Sequence, residues 1–115
     1  VTISAANGVV LQSTKVADIA MQLSAVNNRS MRALADVTIR GGTGQAVPGA
    51  TVSGRWSGLV SGTSSVLTDG NGVARLQSPA SRNRGTFIFT VTGVTLSGYS
   101  YQADSNTETS DSITR

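Results

Sequence analysis

The chain of 115 residues contains no cysteine and no histidine. Without cysteine it can form no disulfide, no thiolate metal site and no cysteine nucleophile. Without histidine it lacks the commonest general base and the commonest ligand of transition metals. A serine nucleophile needs an adjacent base, and Lys15, the only lysine, is the single alternative to histidine in the sequence. We therefore expect a protein that is not an enzyme and that holds no cofactor.

Charged residues are scarce as well, at 13% of the chain against about 25% in an average globular protein. Nine basic and six acidic residues give a net charge of +3. A basic excess often marks a nucleic-acid-binding protein, but here the basic residues are scattered and only Arg82 and Arg84 lie close together. We expect no nucleic-acid partner.

Long apolar runs are absent too, since none approaches the roughly 20 residues of a membrane-spanning helix. We expect no membrane insertion. The length fits one domain, and the chain opens in sequence that has the character of a structured segment, so we expect that these first residues are not a signal peptide. We interpret residues 1–15 as an N-terminal strand or linker and residues 16–115 as one domain of a larger protein.

What the chain does contain is apolar residues at every second position, in segment after segment. In residues 31–40, for example, four alternating apolar side chains face away from Arg32, Asp36 and Arg40. The apolar sets are Ala17, Ile19, Met21, Leu23 and Ala25; Ala33, Ala35, Val37 and Ile39; Ala50, Val52 and Trp56; Ala74 and Leu76; and Phe87, Phe89 and Val91. A period of two with one apolar face predicts antiparallel strands that have one face in a core and one in water.

Turn-forming residues separate these segments. Clusters of Gly, Asn, Ser and Pro occur at 27–30, 41–49, 61–65, 69–72 and 78–85. Six to eight short strands at this spacing predict an all-β fold, a β-sandwich, whose last strand lies around Ile113.

The stretch "TDGNGVA", residues 68–74, raises the question of an ion-binding loop. Asp69 and Asn71 would fill the first two positions of a calcium loop, but Val73 occupies the third and no bidentate Glu follows. A phosphate loop would need a Lys-Ser/Thr pair and a helix, and neither is present. Because Asp-Gly and Asn-Gly favour tight turns between strands, we predict a hairpin turn here.

Two sets of residues are candidates for a site. Tyr99 and Tyr101 have the spacing of one strand face, and with Trp56 they could stack on a flat ligand such as a sugar. The alternative is that Trp56 lies in the core and that both tyrosine rings are half-buried. Asp104, Glu108 and Asp111 form an oxygen-rich tail that could hold a surface calcium ion, although their spacing matches no defined loop. The alternative is three solvated carboxylates.

The order of three segments resembles a bacterial immunoglobulin-like module of the invasin-like or Big type. They are a "GxxVxGAxVxGxWSG" segment, a "TDxxGxA" turn and an "FxVxxVT" strand. In this chain they begin at Gly44, Thr68 and Phe89, and the resemblance covers about residues 31 to 103. It implies an immunoglobulin-like or fibronectin-III-like antiparallel sandwich of about seven strands.

The same resemblance implies an accessory domain of a secreted or cell-surface bacterial protein, such as a hydrolase or an adhesin. The family offers no catalytic residues to carry over. Its partners would be the neighbouring domains of the parent protein, for which it would act as a spacer or docking unit. The alternative function is a binding module for a polysaccharide or another cell-surface polymer, which would use the exposed aromatic rings.

Overall fold

The computed structural model describes residues 12–115 of the chain. They form eight strands and one short 3₁₀ turn at Ala103–Ser105. The strands are β1 (Gln12–Ala25), β2 (Met31–Gly41), β3 (Thr51–Gly58), β4 (Gly62–Leu67), β5 (Val73–Gln77), β6 (Thr86–Thr95), β7 (Tyr99–Tyr101) and β8 (Ser110–Thr114). The last strand contains Ile113, as the sequence predicts. The sandwich already includes residues 12–15, while residues 1–11 of the predicted N-terminal segment lie outside the described part.

Two four-stranded sheets make up the structure. One has the order β5-β2-β1-β7 and the other the order β4-β3-β6-β8. Neighbouring strands are antiparallel, except that β7 runs parallel to the first residues of β1. Buried side chains from both sheets share one core, so the prediction of an all-β, two-sheet sandwich is confirmed.

The alternation predicted from the sequence places the core side chains correctly in four strands. Side chains of β2, β3, β5 and β6 are buried at alternate positions, with less buried side chains between them, and Leu34, which is also buried, is the exception in β2. The largest fully buried side chains are Trp56, Phe87, Phe89, Ile19, Ile39 and Leu76. Burial of each such side chain contributes about 1.5–3 kcal/mol, and their pattern therefore fixes which face of each strand turns inward.

Two β-bulges change the alternation where the sequence does not show it. Val16 pairs with Ile39 and Asp18 with Thr38, which leaves Ala17 as an extra residue in β1. The prediction that Ala17 shares the core face with Ile19 is therefore wrong, because the bulge places Val16 there instead. An equivalent bulge at Thr92 in β6 explains the "VxxV" spacing, since Val91 and Val94 both reach the core.

The "TDGNG" segment is a turn, as predicted, but it does not join a hairpin. The strands on either side, β4 and β5, belong to different sheets. Asp69 closes the turn: its backbone N–H donates to Val73 O, and its carboxylate accepts the N–H groups of Asn71 and Val73. The hairpin prediction is wrong because local turn chemistry specifies how the chain reverses but not which sheet the next strand joins.

The neighbouring residues of this motif dock the turn onto the sandwich. The buried Thr68 hydroxyl donates to Val47 O at 2.7 Å and accepts from Ala50 N at 2.9 Å. Gly72 has a φ of +79°, and a Cβ there would lie 2.7 Å from Ile39 O, so only glycine fits without strain. The threonine and the second glycine of "TDGNG" are thus required by the fold itself.

Candidate functional site

An open groove of about 620 Å³ lies at the end of the sandwich where β6 leads into β7. It is lined by Gly49, Thr51, Val94, Thr95, Leu96, Ser97, Tyr99 and Tyr101. Apolar side chains and hydroxyl groups make up the lining, and no charged side chain takes part. Such a surface suits a neutral ligand with hydroxyl groups better than an ionic one.

A glycine turn places the two predicted tyrosines in this groove. Gly98 has a φ of +84°, and the N–H of Tyr99 donates to Leu96 O at 3.0 Å. The chain then enters β7, which pairs with residues 12–14 of β1. Because side chains two positions apart in a strand point to the same face, the rings of Tyr99 and Tyr101 lie on one side. Both are half-buried and pack against the core, so each ring offers only part of its surface to a ligand.

Asn106 holds the hydroxyl group of Tyr101. Its Nδ2 donates to the Tyr101 hydroxyl at 2.7 Å and to Thr109 Oγ1 at 3.1 Å, while its Oδ1 accepts the N–H of Val16 at 2.7 Å. Tyr101 is therefore part of a structural hydrogen-bond network and has a fixed position on the groove wall.

Trp56, the third residue of the predicted aromatic site, lies in the core. Only 1% of its surface is exposed. Its ring packs against Phe89 at a centroid distance of 4.8 Å, and its Nε1 donates to Ser64 Oγ at 3.0 Å. A ring buried in this way presents no face to a sugar, so the core alternative describes Trp56 and the stacking hypothesis does not.

The structure does not assemble the predicted calcium ligands. Asp104 lies exposed in the 3₁₀ turn, whereas the Glu108 carboxylate turns to β1 and accepts the N–H of Ile19 at 2.5 Å. Within residues 12–115 no three carboxylates converge on a point where a metal ion could bind. Asp104, Glu108 and Asp111 are therefore not brought together as the ligands of one ion, because Glu108 is engaged with the backbone of β1.

The environment of Glu108 changes its acidity. Partial burial raises the pKa of the Glu108 carboxyl group, and the nearby carboxylates of Asp111 and Asp18 raise it further. The hydrogen bond from Ile19 N acts in the opposite direction because it favours the charged form. The Glu108 carboxylate thus has a raised pKa at the place where it accepts the N–H of Ile19, on the outer edge of β1.

Asp36, an acidic residue of β2, is paired with a basic residue of β5. Arg75 Nε and Nη2 donate to the two carboxylate oxygens of Asp36 at 2.7 and 2.9 Å across the β2–β5 pair. This bidentate ion pair lies on the outer face of the sheet, where it orients two neighbouring strands. It is not in the groove and contributes no chemistry to it.

Comparison of the chain with protein-family models, with curated proteins and with solved structures found no match. Within residues 12–115 no helix is long and apolar enough to cross a membrane.

Sequence reasoning located the tyrosines of the groove but missed the rest of its wall. Thr51, Val94, Thr95 and Ser97 are ordinary strand and turn residues, with no spacing that marks a site. Asn106 was also missed as the residue that positions Tyr101. No local signal identifies it, because its partner Val16 lies 90 residues away in the chain.

Proposed function

We propose that this chain is a non-catalytic, immunoglobulin-like accessory module that acts as a spacer or docking domain in a larger secreted or cell-surface bacterial protein. The strand order supports an immunoglobulin-like topology. Strands β1, β2 and β5 share one sheet, and β3, β6 and β8 share the other, as strands A, B, E and C, F, G do in immunoglobulin domains. On this proposal β7 is a short addition between the last two strands of the fold.

The observation that carries the spacer function is that the two ends of the described chain lie at opposite ends of the sandwich. Gln12 hydrogen-bonds to Gly98 O beside the groove, and Thr14 pairs with Gly41. Arg115 instead contacts Ser81 O and Arg29 O at the far end of the β1–β2 hairpin. Since β1 alone has 14 residues, the two ends are separated by roughly 45 Å.

A module that the chain enters at one end and leaves at the other sets a distance between its neighbours. An antiparallel sandwich with many long-range strand pairs should also keep that distance under load, because neighbouring strands of a sheet do not slide past each other without breaking several backbone hydrogen bonds at once. Neither property requires a ligand or a reactive group, in agreement with a chain that has no histidine and no cysteine.

Small-angle scattering on fusions of one, two and three copies, joined by short rigid linkers and measured in dilute solution, tests this proposal. The maximum dimension should grow by roughly 45 Å with each copy, because residues 12 and 115 are at opposite ends. Growth by much less, as for modules folded back on each other, would contradict a spacer function.

A second function, binding of a neutral polysaccharide, is favoured by the groove that contains Tyr99 and Tyr101. Tyrosine rings and the hydroxyl groups of Thr51, Thr95 and Ser97 are suited to stacking on a sugar and to hydrogen bonding with it. The groove lies at the end where the chain enters β1, beside the position that a preceding domain would occupy.

Retention of the purified protein on insoluble chitin, cellulose and bacterial cell wall distinguishes the two functions. Thr95→Arg would fill the groove from an exposed position and abolish retention, whereas Thr92→Arg, exposed on the same strand but outside the groove, would leave it unchanged. The variant Tyr99→Ala/Tyr101→Ala should lose retention as well. A wild-type protein that binds none of these polymers would remove the polysaccharide function for them and leave the spacer function.

A further inference from the structure

The outer edge of β1 exposes backbone groups at alternate positions. The N–H of Ile19 points away from β2, since it donates to Glu108. The N–H of Val26 points toward β2, since it donates to Ser30 O in the hairpin. Residues at alternate positions of a strand direct their N–H and C=O groups to the same side. The outward-directed groups after Ile19 are therefore those of Met21, Leu23 and Ala25.

The first part of this edge is covered by the chain itself. β7 pairs with residues 12–14, the N–H of Gln102 donates to Thr14 O, and the segment 106–108 supplies partners for both Val16 and Ile19. Neither β7 nor the segment 106–108 extends along the edge beyond Ile19. Within residues 12–115 no group forms a hydrogen bond with the outward side of Met21, Leu23 or Ala25.

Residues 19–28 also lack the features that keep an edge strand from pairing with another chain. The segment "IAMQLSAVNN" contains no lysine, no other charged residue and no proline, and the bulge at Ala17 lies before it. Natural edge strands are normally protected by one of these devices. Val26, at the end of the segment, is 41% exposed and leaves an apolar side chain in solvent beside this edge.

The charges at the two ends of the open edge are complementary. Asp18 directly precedes Ile19 in β1, and the Glu108 carboxylate accepts the N–H of Ile19 at the same end. Arg29 and Arg115 lie at the hairpin tip, the other end, where Arg115 donates to the carbonyl group of Arg29. In an antiparallel pair of identical strands, the acidic end of each copy lies beside the basic tip of the other.

We propose that the open edge of β1, Met21–Ala25, pairs antiparallel with the same edge of a second copy of this chain, which extends the β5-β2-β1-β7 sheet across a two-fold axis. Because Glu108 occupies the N–H of Ile19, the register that uses the whole free segment pairs Leu23 with Leu23 of the second copy and Met21 with its Ala25. This register forms about six backbone hydrogen bonds.

The side chains on the outer face of the paired strands tolerate this register. Ala20 would lie opposite Val26 of the second copy, and Gln22 opposite Ser24, so that small or neutral side chains face each other across the axis. Arg29 of each copy would lie near Asp18 and Glu108 of the other. The interface depends only on the described edge and holds whether the module is a spacer or a polymer-binding domain.

Sedimentation velocity of the full chain, from about 1 µM to about 1 mM, measures the association directly. A pairing of this size is at the weak end of specific interfaces, and we expect a dimer with a Kd on the order of 100 µM. Because the contacts at the ends are ionic, the Kd should rise as the salt concentration is raised from about 50 mM to about 500 mM.

Matched lysine variants locate the interface. Gln22→Lys places two like charges close to the two-fold axis at an exposed position and should raise the Kd at least about tenfold. Thr63→Lys makes the same change in charge at an exposed position of β4, the uncharged edge strand of the other sheet, and should change the Kd less than about twofold. Circular dichroism checks that both variants are folded.

A charge exchange tests the register. Arg29→Glu should weaken the dimer at least about threefold, and Asp18→Lys in addition should restore it, because the repulsive pair becomes attractive again. A chain that remains monomeric at about 1 mM would overturn the proposal. Equal weakening by Thr63→Lys and Gln22→Lys would overturn it as well, since the interface would then not lie on β1.

Discussion

The two halves of β1 have the same alternating sequence pattern but opposite surroundings. From Gln12 to Ile19 the strand has β2 on one side and β7 or the segment 106–108 on the other. From Met21 to Ala25 the part of the chain that the structure describes places only β2 beside it. The difference arises from β7 and the segment 106–108, which lie about 90 positions further along the chain. They cover the first half of β1 and do not extend along its second half. Protection of an edge is thus a tertiary property, and a pattern of local residues does not reveal it.

The closed half also shows how side chains can replace a missing strand. Asn106 and Glu108 each present a side-chain oxygen to an outward N–H of β1, at Val16 and Ile19. These two N–H groups are three residues apart because the bulge at Ala17 adds one residue between them. A polar segment can therefore satisfy the backbone of β1 without offering a regular edge to another chain.

Truncation of one apolar side chain in each half should show the largest difference between them. Ile19 is 2% exposed, and Ile19→Ala should lower the free energy of unfolding by about 3 kcal/mol. Leu23 is only partly buried, and Leu23→Ala should cost about 1 kcal/mol, since less surface leaves the core. Urea unfolding of both variants measures the difference, and equal losses would mean that the two halves are packed alike.

Removal of the Asn106 side chain should have the next largest effect. Asn106→Ala leaves the N–H of the fully buried Val16 without its partner and should lower the free energy of unfolding by about 2 kcal/mol. Ser105→Ala, at an exposed neighbouring position, is the matched control and should change it by less than about 0.5 kcal/mol. If both variants unfold at the same urea concentration, Asn106 does not close this part of the edge.

A hydroxyl group in the closed half should be dispensable. Thr14 is 1% exposed, and within the described residues its Oγ1 has no hydrogen-bond partner. Thr14→Val keeps the shape and β-branching but removes a buried polar atom, so it should raise the free energy of unfolding by about 1 kcal/mol. A loss of stability in thermal or urea unfolding would show that this hydroxyl group is satisfied in solution.

The smallest effect concerns the charge of Glu108. Its pKa is higher in the folded chain than in the unfolded one, so the folded state binds the proton more tightly. Stability should therefore decrease as the pH rises from just above the pKa of a free glutamate through the raised value. Glu108→Gln keeps an oxygen for Ile19 N, removes this decrease and should raise the Tm at pH 7 by about 1–3 °C. A lower Tm for this variant at pH 7 would mean that the carboxylate stabilises the fold.

The sequence was sufficient to predict most of the fold because each strand carries its core pattern locally. Residues 35–39 of β2 and 87–91 of β6 alternate as predicted, and glycines mark the turns. The bulges at Ala17 and Thr92 were not predictable, since each depends on a register with a strand distant in the chain. The same reason explains the error at Asp69, where the turn is local but the sheet that β5 joins is not.

The candidate site was predicted only in part. Tyr99 and Tyr101 share a groove, as their spacing indicates, because a strand places alternate residues on one face. Trp56 also has an aromatic ring that could stack on a ligand, but it lies in the centre of a sheet, where its ring is covered by Phe89. The acidic tail is a candidate calcium site by composition, yet Glu108 bonds to β1 instead. In each case the composition identifies the aromatic and acidic side chains that could bind a ligand. Long-range packing determines whether each of them lies in the groove, in the core or against another strand.

Amide hydrogen exchange, followed by NMR at low and high protein concentration, tests the difference between the halves of β1 most directly. In dilute solution the amides of Val16 and Ile19 should be protected, and those of Ala20, Gln22 and Ser24 as well, since the latter point to β2. The amides of Met21, Leu23 and Ala25 should exchange rapidly and become protected only at high concentration, when a second copy covers them. Slow exchange of these three amides in dilute solution would contradict an open edge, and rapid exchange at every concentration would contradict its pairing with a second copy.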